Sequence, residues 1–209
     1  MLKYKVKKLL VVGNLARDII NGKDYFGGSA GAIALNSKFL GLETAILSVI
    51  GKDHFSEKYL DLFSYKKIDV SHVQRVLNEM AVCQVLNKVN RNSSRKWTDN
   101  GSSQQMENLE LDRSWLLQFD MIHLVSCPPR LIVKLVRVLK ETDIPISYEP
   151  GPRIIQSSDF ANIKIIRMVK LIFGNREEID TLLKYLKLKK PSDILGLGPS
   201  IIVVTKGRQ

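Results

Sequence analysis

The sequence predicts an α/β protein with a mainly parallel central sheet. Short, continuous apolar runs are typical of strands buried on both faces, and they recur at residues 9–12, 44–49, 121–125, 144–148, 171–173 and 201–205. Segments with the three-to-four-residue spacing of amphipathic helices separate several of these runs. Strands that alternate with helices in this way favour a parallel sheet covered by helices.

The first half of the chain begins with the buried strand at 9–12. Residues 29–40 follow as a helix that ends at a glycine, and 44–49 is the next buried strand. A second helix is predicted for 55–65, where apolar residues recur at helical spacing. Ser56 is a candidate N-cap of this helix, and Asp53 is another.

The second half of the chain also contains predicted strands that alternate with a predicted helix. Residues 80–89 are strand-like, whereas 91–103 are polar and turn-rich. The apolar strand at 121–125 is followed by Pro128-Pro129, and helical spacing then continues through Leu139. The remaining apolar runs complete the set of strands.

Two segments, 14–26 and 80–105, do not fit the alternation. They lack a helix-scale core pattern and are typical of irregular strands and loops, which together would form a small β lid. Ligands of open α/β folds bind beyond the carboxyl ends of the strands, so a lid there would exclude water. The chain is therefore expected to form one domain, 1–209, with a lid made of these two segments.

Composition excludes several classes of protein. With 44% hydrophobic and 25% charged residues the chain is neither disordered nor fibrous, and no apolar run approaches the ~20 residues that span a bilayer. Cys83 and Cys127 lack metal-ligand spacing and indicate no disulfide framework, which favours a cytoplasmic protein without a membrane partner. The net charge of +11 is spread along the chain, which favours a solvated basic surface over a nucleic-acid footprint. Such a surface would also suit an anionic substrate such as a nucleotide.

A glycine-rich stretch precedes the first helix, Gly27-Gly28-Ser29-Ala30-Gly31-Ala32. Small residues at a helix entrance let a ligand approach the backbone, where free N–H groups favour an anion or a polar group. The stretch fits neither standard phosphate-binding pattern, G-x-x-x-x-G-K-[ST] or G-x-G-x-x-G. A ligand-contacting loop and an ordinary tight turn both remain open from these six residues alone.

Polar or glycine-rich residues follow the predicted strands in a definite order. The sequence reads G-N-x-x-x-D at 13–18, G-G-x-x-x-x-x-A-x-x-x-x-x-L-G at 27–41, and G-x-D at 51–53. Lys67-Ile68-Asp69-Val70, N-x-x-E at 175–178 and Val203-Val204-Thr205-Lys206-Gly207 come later. This ordered set resembles the ribokinase-like (PfkB) family of sugar and nucleoside kinases over nearly the whole chain. The resemblance implies a three-layer sandwich with a mainly parallel central sheet and a small β lid.

The resemblance also implies roles for residues at two places. Asp18, Gly27 and Gly28 would hold the hydroxyl groups of a sugar or nucleoside, with Asn14 helping to orient them. The small-molecule substrate would then accept a phosphoryl group from ATP.

The nucleotide side of the implied site lies later in the sequence. Asn175 and Glu178 would organise Mg²⁺ and the phosphates through water, and Thr205 and Gly207 would approach the nucleotide. Catalysis would consist of positioning and charge neutralisation, so ATP and Mg²⁺ are the implied cofactors.

One family signature is missing from the sequence. The Gly-Ala-Gly-Asp turn, which supplies the anion hole and the base, does not occur, and the expected Asp lies beyond Gln209. Asp159 and Asp193 lack the glycine turn, and Glu149 is interpreted as a strand-end substrate or structural residue. No residue of this sequence is therefore expected to be the catalytic base. The carboxyl-terminal part of the fold is expected to be missing.

Two departures concern the substrate. Family members often carry Asn where this chain has Ala32, and a polar or acidic residue where it has Ser126-Cys127-Pro128-Pro129. A ribose-type set of contacts is not predicted by these residues. The acceptor therefore stays open between sugars and nucleosides.

Three functions follow, in decreasing order of support. The first is an ATP-dependent kinase of sugars or nucleosides that is inactive as this chain. The second is a non-catalytic module that binds or responds to the same small molecules, and the third is a nucleic-acid-binding protein. An uncovered sheet edge also predicts low solubility or a homodimer through the lid.

Overall fold

The computed structural model describes residues 5–87, 93–151 and 163–207. The chain forms two compact units, one of Met1–Leu10 with Glu110–Gln209 and the other of Val11–Leu109. The elements in chain order are β1 Lys8–Gly13, β2 Ala16–Ile20, β3 Lys23–Gly27, α1 Ser29–Phe39, β4 Glu43–Leu47, β5 Val49–Ile50, α2 His54–Tyr65, β6 Gln74–Arg75, β7 Val82–Asn87, β8 Ser93–Asp99, a 3₁₀ helix Gly101–Asn108, α3 Arg113–Leu116, β9 Met121–Val125, α4 Pro129–Val138, β10 Ile146–Glu149, α5 Ile163–Met168, β11 Leu171–Asn175, α6 Arg176–Leu186, α7 Ser192–Leu195 and β12 Ile201–Thr205.

The first unit contains strands in the order β12-β11-β10-β9-β1. The pairings of β9 with β10, β10 with β11 and β11 with β12 are all parallel. Leu124 and Ile172 are almost completely buried, as the continuous apolar runs predict. The predicted α/β class with a mainly parallel sheet is confirmed.

Helices of the first unit bury one apolar stripe each. In α4, Leu131, Ile132 and Leu135 are buried, and a proline occupies the first turn, where a missing N–H costs no hydrogen bond. Helix α6 begins with a capping box and ends at Lys187, which adopts the left-handed conformation with φ 55°. These boundaries are set by local chemistry rather than by packing alone.

The second unit contains the pairing of β1 with β4 and a separate four-stranded sheet of order β3-β2-β7-β8. Strand β2 is antiparallel to β3 and parallel to β7, and β7 is antiparallel to β8. This sheet draws its strands from the segments interpreted as a lid. Its action as a lid stays a prediction.

Helix α2 corrects one predicted boundary. The Asp53 carboxylate accepts hydrogen bonds from the Ser56 backbone N–H (3.0 Å) and hydroxyl (2.8 Å), so Asp53 is the N-cap. The prediction of Ser56 as the cap was wrong, because Ser56 lies in the first turn and donates rather than accepts. Capping by aspartate stabilises a helix by about 1 kcal/mol.

No helix within the described ranges is both long enough and apolar enough to cross a membrane. Asp159, one of the acids that lack the glycine turn, lies outside the described residues.

Candidate active site

The hairpin of β2 and β3 brings Asp18 and Gly27 together in the second unit. Ala16 pairs with Gly27 and Asp18 with Tyr25, so Asp18 lies diagonally next to Gly27 on the same face of the sheet. A Cβ atom at Gly27 would overlap the Asp18 carboxyl group. The glycine is therefore required by the place that the Asp18 side chain occupies.

Gly28 allows a second close approach, this time between backbone segments. Its φ is +86°, and a Cβ there would lie 2.8 Å from Leu15 Cα and 2.9 Å from Ala16 N, besides overlapping the Asn14 carbonyl. Gly28 is also the N-cap of α1, which has no side-chain cap. The first N–H groups of α1 are thus left for another acceptor.

Asn14, at the turn after β1, carries a buried side-chain oxygen. Its Oδ1 has no hydrogen-bond partner among the described residues, although buried polar atoms in proteins are usually paired. The backbone of Asn14 passes directly beside Gly28. The structure therefore brings Asn14, Asp18, Gly27 and Gly28 together within one unit.

Two residues that the sequence offered no reason to place here, Tyr59 and Gly31, support this group. Tyr59, fully buried in α2, donates a hydrogen bond of 2.8 Å from Oη to the Gly27 carbonyl oxygen. Gly31 in α1 leaves room for that hydroxyl, because a Cβ there would overlap it. Burial, together with the negative charge of Asp18, raises the pKa of Tyr59, so the phenol remains a neutral donor. Helical spacing indicated that Tyr59 is buried but gave no signal of its hydrogen bond.

The G-x-D segment at 51–53 performs a structural task. Asp53 Oδ2 accepts a 2.7 Å hydrogen bond from the Met80 backbone N–H in addition to capping α2. A Cβ at Gly51 would lie 2.6 Å from the Asn78 carbonyl oxygen and 2.7 Å from Met80 N. Burial tends to raise the Asp53 pKa, but the hydrogen bonds from Ser56 and Met80 outweigh it and lower the pKa.

The first unit holds the other predicted group at the start of α6. Asn175 accepts a 2.9 Å hydrogen bond from Glu178 N, and Glu178 Oε2 accepts one of 2.8 Å from Asn175 N. Thr205 pairs with Asn175 across β11 and β12, which places it beside this turn. Gly207, two residues beyond β12, has φ +69° and open space where a Cβ would stand.

This arrangement gives Asn175 and Glu178 an immediate structural role, because together they cap α6. The second carboxylate oxygen of Glu178 accepts no hydrogen bond among the described residues. This oxygen therefore remains able to accept a hydrogen bond from a ligand or a water molecule. No group of three or more His, Cys, Asp or Glu residues in the described parts of the chain could hold a metal ion. A cation here would therefore depend on water and on phosphate oxygens, as Mg²⁺ commonly does.

Two of the acids that lack the glycine turn lie in described parts of the first unit. Asp193 accepts backbone hydrogen bonds of 3.1 Å from Lys189 and Lys190 and so stabilises the start of α7. Glu149 ends β10, where burial, followed by the charge of Glu178, raises its pKa. Glu149 and Glu178 are therefore close enough for their charges to interact.

Comparison with known proteins defines the class to which this fold and these residues belong. The sequence pattern of the pfkB family of carbohydrate kinases matches residues 2–209. The chain belongs to the pfkB family of carbohydrate kinases.

Two relatives that match almost the whole chain carry the names of different kinases. A nucleoside kinase from Methanothermobacter thermautotrophicus is 24% identical over 222 residues, covering 97% of this chain and 71% of the relative. An ATP-dependent 6-phosphofructokinase from Thermoanaerobacterium thermosaccharolyticum is 25% identical over 240 residues, covering 99% of this chain and 73% of the relative.

Solved structures confirm the ribokinase-like fold. The Burkholderia thailandensis nucleoside kinase in complex with inosine has a TM-score of 0.81 at 16% identity, covering 95% of this chain and 70% of that chain. A candidate ribokinase II from E. coli in complex with ATP and Mg²⁺ also has a TM-score of 0.81, at 14% identity, covering 98% of this chain and 74% of that chain. At these identities the similarity shows the fold alone.

Proposed function

We propose that this chain binds a sugar or nucleoside and ATP as part of a phosphotransferase that acts on a hydroxyl group of the acceptor. The observation that carries the proposal is the buried, unpartnered Asn14 Oδ1 in the turn whose backbone packs against Gly28. A hydroxyl group of the acceptor would satisfy that oxygen. The small-molecule character of the acceptor is supported by the kinase relatives.

The acceptor would be held by groups of the second unit. Asp18 and Asn14 would accept hydrogen bonds from hydroxyl groups of the acceptor, and the first N–H groups of α1, which has no side-chain cap, would donate to them. Hydrogen bonds between hydroxyls and an ionised carboxylate are stronger than those between neutral groups. Asp18 is therefore expected to contribute most to acceptor affinity.

The nucleotide would be held by groups of the first unit, and the donor set there fits a magnesium nucleotide. Glu178 offers one carboxylate oxygen beyond its capping bond, Thr205 offers a hydroxyl beside Asn175, and Gly207 offers an open backbone. Bound Mg²⁺ would neutralise charge on the phosphates. The residues of this chain would place the nucleotide, with Glu178 acting through water.

The ATP and Mg²⁺ assignment draws support from one neighbour of the same fold, which is in complex with both. A second candidate function follows from the sequence. The 209 residues contain no Gly-Ala-Gly-Asp turn, which favours binding of the same small molecules without phosphoryl transfer by these residues alone.

Calorimetry with a defined ligand panel tests the proposal. Inosine, adenosine, ribose and fructose 6-phosphate are titrated into the wild-type chain and into Asp18→Asn. Asp24→Asn is the matched control, because Asp24 lies on the same hairpin and pairs with Arg17 (2.7 Å) on the opposite face from Asp18. We expect at least one ligand to bind, with affinity about tenfold or more lower in Asp18→Asn and within about twofold in Asp24→Asn.

The same samples are assayed for phosphoryl transfer from ATP. Binding without turnover supports the second candidate function, and turnover by the purified chain contradicts the expectation that its base is missing. Failure of every ligand to bind, or equal losses in both variants, contradicts the proposed acceptor site.

A further inference from the structure

The first unit encloses a histidine whose ring lies beside the end of β10. His123, in the centre of β9, pairs with Ser147, and both side chains project from the face of the sheet that also carries the Glu149 side chain. His123 is only 8% exposed, and the ring of Phe173 lies edge-on to it with a centroid distance of 5.8 Å. The imidazole therefore depends on this row of residues for its partners.

The two ring nitrogens of His123 have different surroundings. Nδ1 lies 2.8 Å from Ser147 Oγ, at hydrogen-bond distance. Nε2 is buried without a hydrogen-bond partner among the described residues, and Glu149 Oε2 lies 4.0 Å from it. Because 4.0 Å is too long for a hydrogen bond, Nε2 stays unsatisfied although it faces a carboxylate.

Negative charge accumulates on the side that Nε2 faces. Burial raises the pKa of Glu149, and the charge of Glu178 raises it further, with no basic side chain of the described residues acting against them. His123 adds no positive charge at neutral pH, because burial lowers its pKa to about 4. The carboxylate oxygens and the neutral imidazole nitrogen are thus all donors of electron pairs.

We propose that His123 Nε2 and Glu149 Oε2 form a binding site for a divalent first-row transition-metal ion such as Mn²⁺ or Zn²⁺. Imidazole nitrogen and carboxylate oxygen together suit these ions, whereas Mg²⁺ prefers oxygen ligands alone. No group of three or more candidate ligands occurs in the described parts of the chain, so water completes the coordination. The site goes beyond the proposed function, because it requires no nucleotide.

The distance between the two donor atoms fits a shared ion after a small adjustment. Bonds of about 2.1 Å to nitrogen and to oxygen place two neighbouring ligands of one ion about 3.0–3.4 Å apart. The separation of 4.0 Å between His123 Nε2 and Glu149 Oε2 exceeds this by roughly 0.6–1.0 Å. The Glu149 side chain, which is 33% exposed, has the freedom to move by that amount.

The Ser147 hydroxyl suits the tautomer of His123 that a metal ligand needs. With its hydrogen on Nδ1, the ring donates to Ser147 Oγ, and Nε2 keeps its lone pair for the ion. Histidines that bind metals in proteins usually donate their other N–H to an oxygen in this way. The contact that orients the ring therefore leaves the correct nitrogen available.

Manganese binding to the full chain, freed of metal and without nucleotide, tests the site. Free Mn²⁺ is counted from its EPR signal during titration of the wild type, His123→Gln, Glu149→Gln and the control His54→Gln, at an exposed histidine of the other unit. We expect affinity about tenfold or more lower in the first two variants and within about twofold in the control. No binding to the wild type, unchanged affinity in His123→Gln, or equal losses in all three variants overturns the inference.

Pulsed EPR of the wild-type chain tests the metal–nitrogen bond without relying on any variant to fold. The chain has three histidines, and replacing ¹⁴N-histidine by ¹⁵N-histidine changes the coupling of a bound imidazole nitrogen to Mn²⁺. We expect such a coupling, retained in His54→Gln and His72→Gln and lost in His123→Gln. Bound Mn²⁺ without a coupled histidine nitrogen, or a coupling that survives in His123→Gln, overturns the inference.

Competition with Mg²⁺ distinguishes a metal ligand from a residue that only supports the fold. Loss of an imidazole ligand should weaken Mn²⁺ binding more than Mg²⁺ binding, so His123→Gln should lower the ratio of the two affinities about tenfold. Equal losses for the two ions indicate a structural residue and overturn the inference. Because no measurement uses a nucleotide, a failure of the proposed nucleotide site, seen as no ADP binding with Mg²⁺, leaves these outcomes unaffected.

Discussion

The hydroxyl of Tyr59 and the carbonyl oxygen of Gly27 are joined by a buried hydrogen bond of 2.8 Å. Because a trans peptide places its N–H opposite its carbonyl, fixing the Gly27 carbonyl also fixes the direction of the Gly28 N–H. Tyr59 is in turn held between the rings of Phe26 and Phe63, with centroids 4.7 Å and 4.6 Å away. A core residue of α2 thus orients the peptide proposed to meet the acceptor.

Tyr59→Phe tests this relationship. The substitution leaves the Gly27 carbonyl without its partner and should lower the free energy of unfolding by about 1–2 kcal/mol. Affinity for whichever acceptor binds the wild-type chain should fall about three- to tenfold. Tyr65→Phe, at a side chain that is 80% exposed, is the control and should change neither quantity. Full stability and affinity in Tyr59→Phe would show that the hydrogen bond orients nothing.

Gly31→Ala tests the space that the Tyr59 hydroxyl needs. Alanine normally stabilises a helix interior by about 1 kcal/mol relative to glycine, but here its Cβ overlaps the hydroxyl of Tyr59. We expect a net loss of about 1–3 kcal/mol in chemical denaturation. The loss should be smaller when Gly31→Ala is made in Tyr59→Phe, since the overlapping oxygen is then gone. Additive losses in the double variant would contradict this explanation.

Much of the fold could be predicted because buried strands have a distinct sequence. The runs at 121–125 and 201–205 match β9 and β12 to the residue. Strand β9 is buried, as a continuous apolar run predicts, whereas β12 is only partly buried. The prediction that 91–103 is turn-rich missed β8, Ser93–Asp99. A polar strand lacks the alternation that marks a half-buried one, so its pairing with β7 decides its conformation.

The sequence predicts the polar and glycine residues of the candidate site, but it does not predict the residues that hold them in place. Paired glycines and an acid after the first strand indicate a place where a ligand can reach the backbone. The contact between Tyr59 and Gly31 joins residues from two helices, and a single sequence contains no signal for such a pairing. The surroundings of His123 could not be predicted for the same reason, because its neighbours depend on the register of β9 and β10.

The capping box of α6 allows its structural and functional roles to be separated. Asn175→Ala removes the cap and should lower the free energy of unfolding by about 1 kcal/mol. Glu178→Gln keeps an oxygen that can accept from the Asn175 N–H, so stability should change by less than about 0.5 kcal/mol. It removes the charge, however, and should abolish most of the gain in ADP affinity that Mg²⁺ provides. An unchanged Mg²⁺ effect in calorimetry would restrict Glu178 to capping.

The buried imidazole of His123 predicts a pH dependence of stability. Its pKa is lowered to about 4 by burial, so below the unfolded value the unfolded chain binds a proton that the folded chain does not. Stability should therefore fall as the pH decreases from about 6.5 towards 4, with this residue contributing about 2–3 kcal/mol. The raised pKa of Glu149 acts in the opposite direction, because protonation favours the folded form of that group.

A comparison of variants isolates the contribution of His123 from that of Glu149. Urea denaturation between pH 4 and pH 7 should show a shallower pH dependence in His123→Gln than in the wild-type chain. His54→Gln, at an exposed histidine, should keep the wild-type dependence. Parallel curves for the wild-type chain and His123→Gln would mean that the imidazole takes up its proton equally well in the folded and unfolded chains, which a ring enclosed among β9, β10 and Phe173 should not do.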